Sequence, residues 1–375
     1  MTWRAEAHIS RYDMIIDCHG HYTTAPKALA AFRAWQRESL TVSRALQLDG
    51  SAARLPADPG VVVSDDEIRE SLEKHQLRIQ AERGVDLTLF SPRAGGMAHH
   101  VGDARISEAW TRHCNDLVHR AVSLYPSRFA GVCQLPQSPG VPPANCIPEL
   151  VRCVKELGFV GCNINPDPTD GYWTDPPLTD RYWYPLYEKL VELDVPAMIH
   201  TSCSCNPNFH FTGAHYINGD TTAFMQFLDS ALFQDFPTLR FVIPHGGGAV
   251  PYHWGRYRGL AQDMGRPPLE TLMNNVFFDT CVYHQPGIEL LLQVVPEDNV
   301  LFASEIVGAV KGIDPRTGFH YDDTKRYIDA VDWLPPPARS KVLGGNALRV
   351  YPRLKAHVAR GPRSDGVAVA QGRLG

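Results

Sequence analysis

Eight short apolar runs, each followed by a segment of helical period, restrict this 375-residue chain more than any other feature. The runs are Met14–Cys18, Val85–Phe90, Phe129–Leu135, Phe159–Ile164, Ala197–His200, Arg240–Pro244, Val276–Asp279 and Val300–Ala303. Between them lie amphipathic stretches such as "DDEIRESLEKHQLRIQAERG", "ISEAWTRHCNDLVHRAVSLYP", "PELVRCVKELG" and "YWYPLYEKLVELD". The first opens after Ser64, a good N-cap, and stops at Gly84, a good C-terminal glycine. Strands alternating with helices pack as parallel βα units, and eight such units favour a closed (β/α)8 barrel, an α/β TIM-type fold. A doubly wound open sheet is the competing architecture. No glycine-rich phosphate loop follows the first run, which counts against it.

The expected organisation is an extension over 1–13, one barrel domain with loop insertions over 14–358, and a loose tail over 359–375. Three connections are longer than a minimal barrel needs: residues 34–64, "NPDPTDGYWTDPPLTD", and "GAVKGIDPRTGFHYDDTK". All three leave the carboxyl ends of strands, the side on which barrel enzymes build their sites.

Composition excludes several function classes. With 44% hydrophobic and 21% charged residues the chain reads as an ordinary soluble globular protein. A net charge of −5 with no long basic run offers no footprint for nucleic acid. No apolar stretch approaches the roughly 18 residues of a membrane helix, and the N-terminus lacks the apolar core of a secretory signal. Nine scattered cysteines suit reduced thiols and a cytoplasmic location. Cys203 and Cys205 form a C-x-C pair, but no second pair is placed to complete a thiolate metal site; Cys205 instead follows a strand end and can line a pocket.

The strand ends carry the chemistry. The first run closes as "MIIDCHGHY", and alternation sends His19 and His21 to one face. Successive ends then present Ser91 and Arg93, Gln134, Asn163 and Asn165, His200, His245, Asp279 with Thr280, and Ser304 with Glu305. Each has a bland reading taken alone: a satisfied rim histidine, a tight "HGGG" turn, a solvated glutamate, a structural aspartate. Their common phase in the βα repeat outweighs these separate readings. Three imidazoles and a carboxylate, His19, His21, His200 and Glu305, suit zinc with an open position for water, and manganese fits the same ligand types.

At this point the chain resembles the amidohydrolase superfamily, in the branch that contains aminocarboxymuconate-semialdehyde decarboxylase. The resembling segments are "DCHGH" at 17–21, "AMIH" at 197–200, "FVIPHGGG" at 241–248, "LFASE" at 301–305 and "GGNALRVY" at 344–351. The resemblance implies a distorted (β/α)8 barrel with one or two divalent metals. Within that branch, "MIIDCHGHYTTAPKAL", "SPRAGGMAHHVGD", "GAHYINGDTTAF", "HGGGAVPYHWGRYRG" and "FASEIVGAVKGIDPRTG" are similar to the 4-oxalomesaconate hydratases of protocatechuate and gallate 4,5-cleavage catabolism. That likeness implies zinc ligands at His19, His21, His200 and Glu305, with Tyr216 and His245 against the substrate. Most of the superfamily carries aspartate where this chain has Glu305. The departure weakens transfer of decarboxylase or hydrolase chemistry and agrees with hydration, although a decarboxylase or hydrolase acting on a related dienoic acid or lactone stays as the alternative.

Hydration of a conjugated polycarboxylate then assigns proton transfer to Glu305 and stabilisation of the developing charge to Tyr216 and His245. Carboxylates on the substrate need cationic or N–H partners. The candidates are Arg93, whose planar fork can hold a carboxylate bidentately, then His100, Asn165, Arg256 and Arg316. The expected partners are a small polycarboxylate and a second copy of the chain, as a dimer or larger homo-oligomer, with no nucleic acid and no membrane.

Overall fold

The computed structural model describes residues 14–48 and 58–359. The expected extension over 1–13, and all but the first residue of the expected tail, lie outside the described residues. Eight strands run in chain order around one sheet: β1 Ile16–His21, β2 Leu87–Ser91, β3 Phe129–Gln134, β4 Gly161–Ile164, β5 Ala197–Ile199, β6 Phe241–Ile243, β7 Val276–Asp279 and β8 Val300–Leu301. Every adjacent pair is parallel. Two backbone bonds join the last strand to the first, Cys18 N–H to the Phe302 carbonyl and Glu305 N–H to the His19 carbonyl, both at 2.9 Å. The barrel expected from the eight runs is the fold observed.

Alternation sorts the strand residues into two cores. Ile16, Cys18, Leu87, Leu89, Ala130, Val132, Met198, Val242, Phe277 and Leu301 pack together inside the barrel. Phe90, Phe129, Cys133, Cys162, Ile164, Ile199, Phe241, Ile243 and Phe278 face outward and are covered by the helices. The interior core also takes in Ala347, Val350, Tyr351 and Leu354 from the C-terminal "GGNALRVY" segment. That segment closes the amino-terminal mouth. Phe302 N–H donates to the Val342 carbonyl, and a methyl at Gly161 would stand 2.9 Å from the Tyr351 ring. Only the opposite mouth, at the strand carboxyl ends, is left for chemistry.

Two local differences from the sequence reading bear on that mouth. β1 runs to His21 rather than stopping at Cys18, so both histidines lie inside the strand. The segment after Ser64 is two helices, Asp65–Glu73 and Gln76–Glu82, rather than one. Ser64 forms the capping box with Glu67, but the chain breaks at His75 (φ −128°, ψ −91°). The break turns Gln76 and Gln80 inward, where Gln76 Oε1 accepts from Thr24 Oγ1 at 2.7 Å and Gln80 Nε2 donates to Thr88 Oγ1 at 2.8 Å. Buried amides are kept where they find partners, and these two brace the ends of β1 and β2. The first part of the long connection after β1 is itself helical, in the helix Lys27–Leu48. No helix among the described residues is long and apolar enough to cross a membrane.

Candidate metal centre and active site

At the carboxyl ends of β1, β5 and β8 the fold brings His19, His21, His200 and Glu305 together, their ligand-type atoms all within 4.8 Å of one another and all four side chains buried. His19 Nε2 lies 2.9 Å from His21 Nε2, which lies 3.2 Å from His200 Nε2. Glu305 Oε1 is 4.0 Å from His21 Nε2. Two nitrogens held at about 2.0–2.1 Å from one tetrahedral ion sit roughly 3.3 Å apart, so the spacing matches a shared cation better than three independent side chains.

The other ring nitrogens decide the tautomers. His19 Nδ1 donates to the Asp279 carboxylate at 2.7 Å, His21 Nδ1 to Ser91 Oγ at 2.7 Å, and His200 Nδ1 to the Thr201 carbonyl at 2.7 Å. Ser91 spends its own proton between the Gly20 and Pro92 carbonyls, each at 3.2 Å. With each proton on Nδ1, three Nε2 lone pairs converge on one point, the arrangement that metal-binding histidines use. Burial, the neighbouring imidazoles and the Arg93 guanidinium hold His21 well below the ordinary histidine value. Burial and the other imidazoles do the same to His200. Burial pushes the Asp279 carboxyl up, but the hydrogen bonds it accepts from His19 Nδ1–H and the Cys281 N–H outweigh that and leave it below the usual carboxylate value. The donor set therefore fits a divalent ion.

Glycine between the first two histidines has a steric cause. A Cβ on Gly20 would stand 2.3 Å from Thr88 Cγ2 and 3.1 Å from the Leu89 carbonyl, and Thr88 is held in place by Gln80. The register of β1 on β2 also shifts between Asp17 and Gly20, which sets the two imidazoles on one point. Gly20→Ala is expected to cost about 1–3 kcal/mol by overpacking and to lower the metal content of purified protein. An unchanged melting temperature with full metal content would refute that account.

Glu305 is locked from behind. Its Oε2 accepts from the Tyr283 hydroxyl at 2.7 Å, leaving Oε1 toward the imidazoles. Ser304, next to it, donates through both its N–H (3.1 Å) and its hydroxyl to Asp17, which also accepts from His19 N–H at 3.0 Å. Asp17 thus ties the end of β8 to β1. Glu305, Tyr283 and His245 all adopt left-handed φ, at 53°, 64° and 52°. Non-glycine residues held there cluster at sites where the surrounding structure imposes the conformation.

His245, after β6, donates from Nδ1 to Asp220 Oδ2 at 2.9 Å. Its Nε2 is buried without a partner among the described residues. Burial works against a charged ring here, but Asp220, Glu305 and Asp279 prevail and lift His245 to about 9; the charge of a bound ion would work against that lift. Tyr216 opens the helix Tyr216–Leu228, stands edge-on to His200 at 5.1 Å and stacks on His245 at 5.4 Å. Burial and then the Glu305 charge push its hydroxyl well above the ordinary tyrosine value, so it is an O–H donor at neutral pH.

The candidate carboxylate binders divide. Arg93 lines the small cavity over the cluster together with His21, His200, Tyr216 and Glu305. His100 is half-buried and bonded to Asp170 at 2.6 Å, away from that lining. The Asn165 side chain is engaged by Asp167 N–H and Asp170. Cys205 is exposed, with its thiol toward the Thr169 carbonyl. Arg256 is exposed on the helix Trp254–Asp263, and Arg316 is exposed and pairs with Asp314 at 3.2 Å. The fold does not bring these five to the cluster. Sequence reasoning missed Asp17, Tyr283 and Asp220 altogether. Of these only Asp17 carried a local hint, two residues before the first histidine on an otherwise apolar strand.

Comparison with known proteins gives the family. The amidohydrolase family model matches residues 16–353. The chain belongs to the amidohydrolase family. Among its relatives, the 2-keto-4-carboxy-3-hexenedioate hydratase of Sphingobium sp. (strain NBRC 103272 / SYK-6) is 59% identical over 350 residues, 93% of this chain and 99% of that protein. The crystal structure of 4-oxalomesaconate hydratase from Rhodopseudomonas palustris superposes with a TM-score of 0.84 at 57% identity, covering 92% of this chain and 98% of that one. A more distant amidohydrolase fold, the dihydroxybenzoic acid decarboxylase of Polaromonas sp. JS666 with bound manganese, gives a TM-score of 0.62 at 20% identity, covering 90% and 97%.

Proposed function

We propose that this amidohydrolase is a metal-dependent hydro-lyase. It adds water to the conjugated double bond of 4-oxalomesaconate, or its enol 4-carboxy-2-hydroxymuconate, to give 4-carboxy-4-hydroxy-2-oxoadipate in aromatic catabolism. The observation that carries the reading is the 59% identity to a named hydratase across 99% of that protein's length. The site supports it with a carboxylate and a hydrogen-bond donor pair beside a cluster of imidazole lone pairs.

His19, His21, His200 and Glu305 are the residues we assign to the ion, and zinc is the ion we propose from three imidazoles and one carboxylate; manganese is the second ion the donor set accepts. When bound, the ion supplies Lewis acidity, which brings the pKa of water down to about 7. Glu305 takes a proton from the attacking water and delivers it to the neighbouring substrate carbon, so one O–H bond and the π bond of the C=C break while a C–O and a C–H bond form. Tyr283 keeps that carboxylate aimed. The Tyr216 hydroxyl and His245 hydrogen-bond the oxygen on which negative charge gathers as the double bond is attacked. Arg93 holds a substrate carboxylate at the rim. We keep His100, Asn165, Cys205, Arg256 and Arg316 as outlying candidates for substrate contact, since none of them lines the small cavity over the cluster. Nine cysteines without a disulfide suit a cytoplasmic location.

The test is ultraviolet monitoring of purified, zinc-loaded protein on 4-oxalomesaconate. Loss of conjugation with one water gained and no carbon dioxide released is the expected result, whereas carbon dioxide release would make the chain a decarboxylase. His245→Asn is expected to lower turnover by about 10²-fold with metal content unchanged. Turnover equal to the parent protein would remove His245 from the reaction.

A further inference from the structure

A cleft of about 520 Å³ adjoins the small cavity over the metal cluster, and the two share Thr23, Arg93 and Gly95 as a common wall. It runs between the helix Lys27–Leu48 and the helix Ala104–Leu124, and its lining contains Arg33, Arg37 and Arg93 but no aspartate or glutamate. None of the three arginines has a carboxylate partner among the described residues, although most other arginines there are paired.

Arg33 is the most unusual of them. It is 8% exposed, and its guanidinium is fastened by the Met97 and Ala98 carbonyls and Gln36 Oε1, over the Trp110 ring at 4.8 Å. Its Nε has no partner among the described residues. Charged side chains are almost never fully buried unless paired, and an unpaired one is costly. Here neutral carbonyls hold the group in place, and no carboxylate among the described residues forms an ion pair with it. Arg37, one helical turn along on the same face, doubles the charge. Burial, followed by the Arg37 charge, pushes Arg33 down to about 10, so Arg33 remains cationic at neutral pH.

We propose that this cleft is the subsite for the distal carboxylates of the substrate, with Arg33 and Arg37 as specificity-determining residues and Arg93 bridging it to the metal cluster. The assignment rests on the hydratase reading, since it takes the substrate to be a polycarboxylate. It explains why three like charges face one cavity, and it predicts selection by carboxylate number.

The test uses tricarballylate, a saturated tricarboxylate that cannot be hydrated, with acetate as the monocarboxylate control, titrated into zinc-loaded full-length protein by calorimetry. Arg37→Gln removes the charge of an exposed side chain, and Arg33→Lys keeps the charge but loses the fork, so at least one variant keeps its fold. Each is expected to weaken tricarballylate about 10- to 100-fold, to leave acetate within about two-fold, and to raise KM more than it lowers kcat. Tricarballylate should compete with 4-oxalomesaconate. Unchanged tricarballylate affinity in both variants, or inhibition that is not competitive, overturns the subsite even if the wild-type protein hydrates its substrate. Arginine-dependent, zinc-site-competitive binding in a protein that fails to hydrate 4-oxalomesaconate would keep the subsite and defeat the hydratase reading instead.

Discussion

Glutamine in place of Glu305 is expected to lower turnover by about 10²–10⁴-fold, the range associated with a positioned acid/base group, while the barrel stays folded. The substitution is nearly isosteric. Its amide oxygen can still face the imidazoles, but the side chain can no longer carry a proton from water to carbon. Tyr283 makes the experiment sharper, because its hydroxyl at 2.7 Å from Oε2 fixes which oxygen looks into the site. Two readouts separate the roles: kcat from the loss of conjugation, and metal stoichiometry from elemental analysis. Retained metal with lost turnover identifies the proton carrier. Turnover within about two-fold of the parent would rule Glu305 out of proton transfer.

Removal of the metal is the other large effect. Lewis-acid stabilisation is worth several kcal/mol, so chelation or His21→Ala is expected to reduce the rate by about 10³-fold or more. Zinc added back should restore the chelated protein and fail to restore His21→Ala, where one of three converging lone pairs is missing. Asp279→Asn offers a graded version. It keeps the hydrogen-bond acceptor for His19 Nδ1 but drops the charge, and outer partners of metal-bound histidines typically account for about 10- to 100-fold in metal affinity. Full activity in rigorously stripped protein would sink the metal assignment, whichever ion is used.

Much of the architecture could be read from residues because its determinants are local. Eight apolar runs become eight strands, and the ends of those runs land on one rim. His19 and His21 were legible because a strand repeats every two residues, and His200 because it ends its run directly. The less legible residues have partners set by long-range packing. Asp220 sits mid-helix in "INGDTTAF" and acquires meaning only when His245 is folded against it. Tyr283 lies in a loop after β7, and nothing near it in sequence points toward Glu305. The loop arginine Arg316 and the helical Arg256 looked like carboxylate binders by type, yet Asp314 claims the first and solvent the second. Arg33 and Arg37 show the converse: nothing in the sequence around them marks a site, and only the fold brings the Met97 and Ala98 carbonyls onto Arg33.

The C-terminal plug has a kinetic consequence. With Val350, Tyr351 and Leu354 packed into the amino-terminal end of the barrel, the vessel has a single throat. Reactant and product must pass the same rim in opposite directions, so one cannot enter until the other has left. A tricarboxylate product that still matches the arginines at that throat will therefore oppose the next arrival, and inhibition by accumulated product should be competitive.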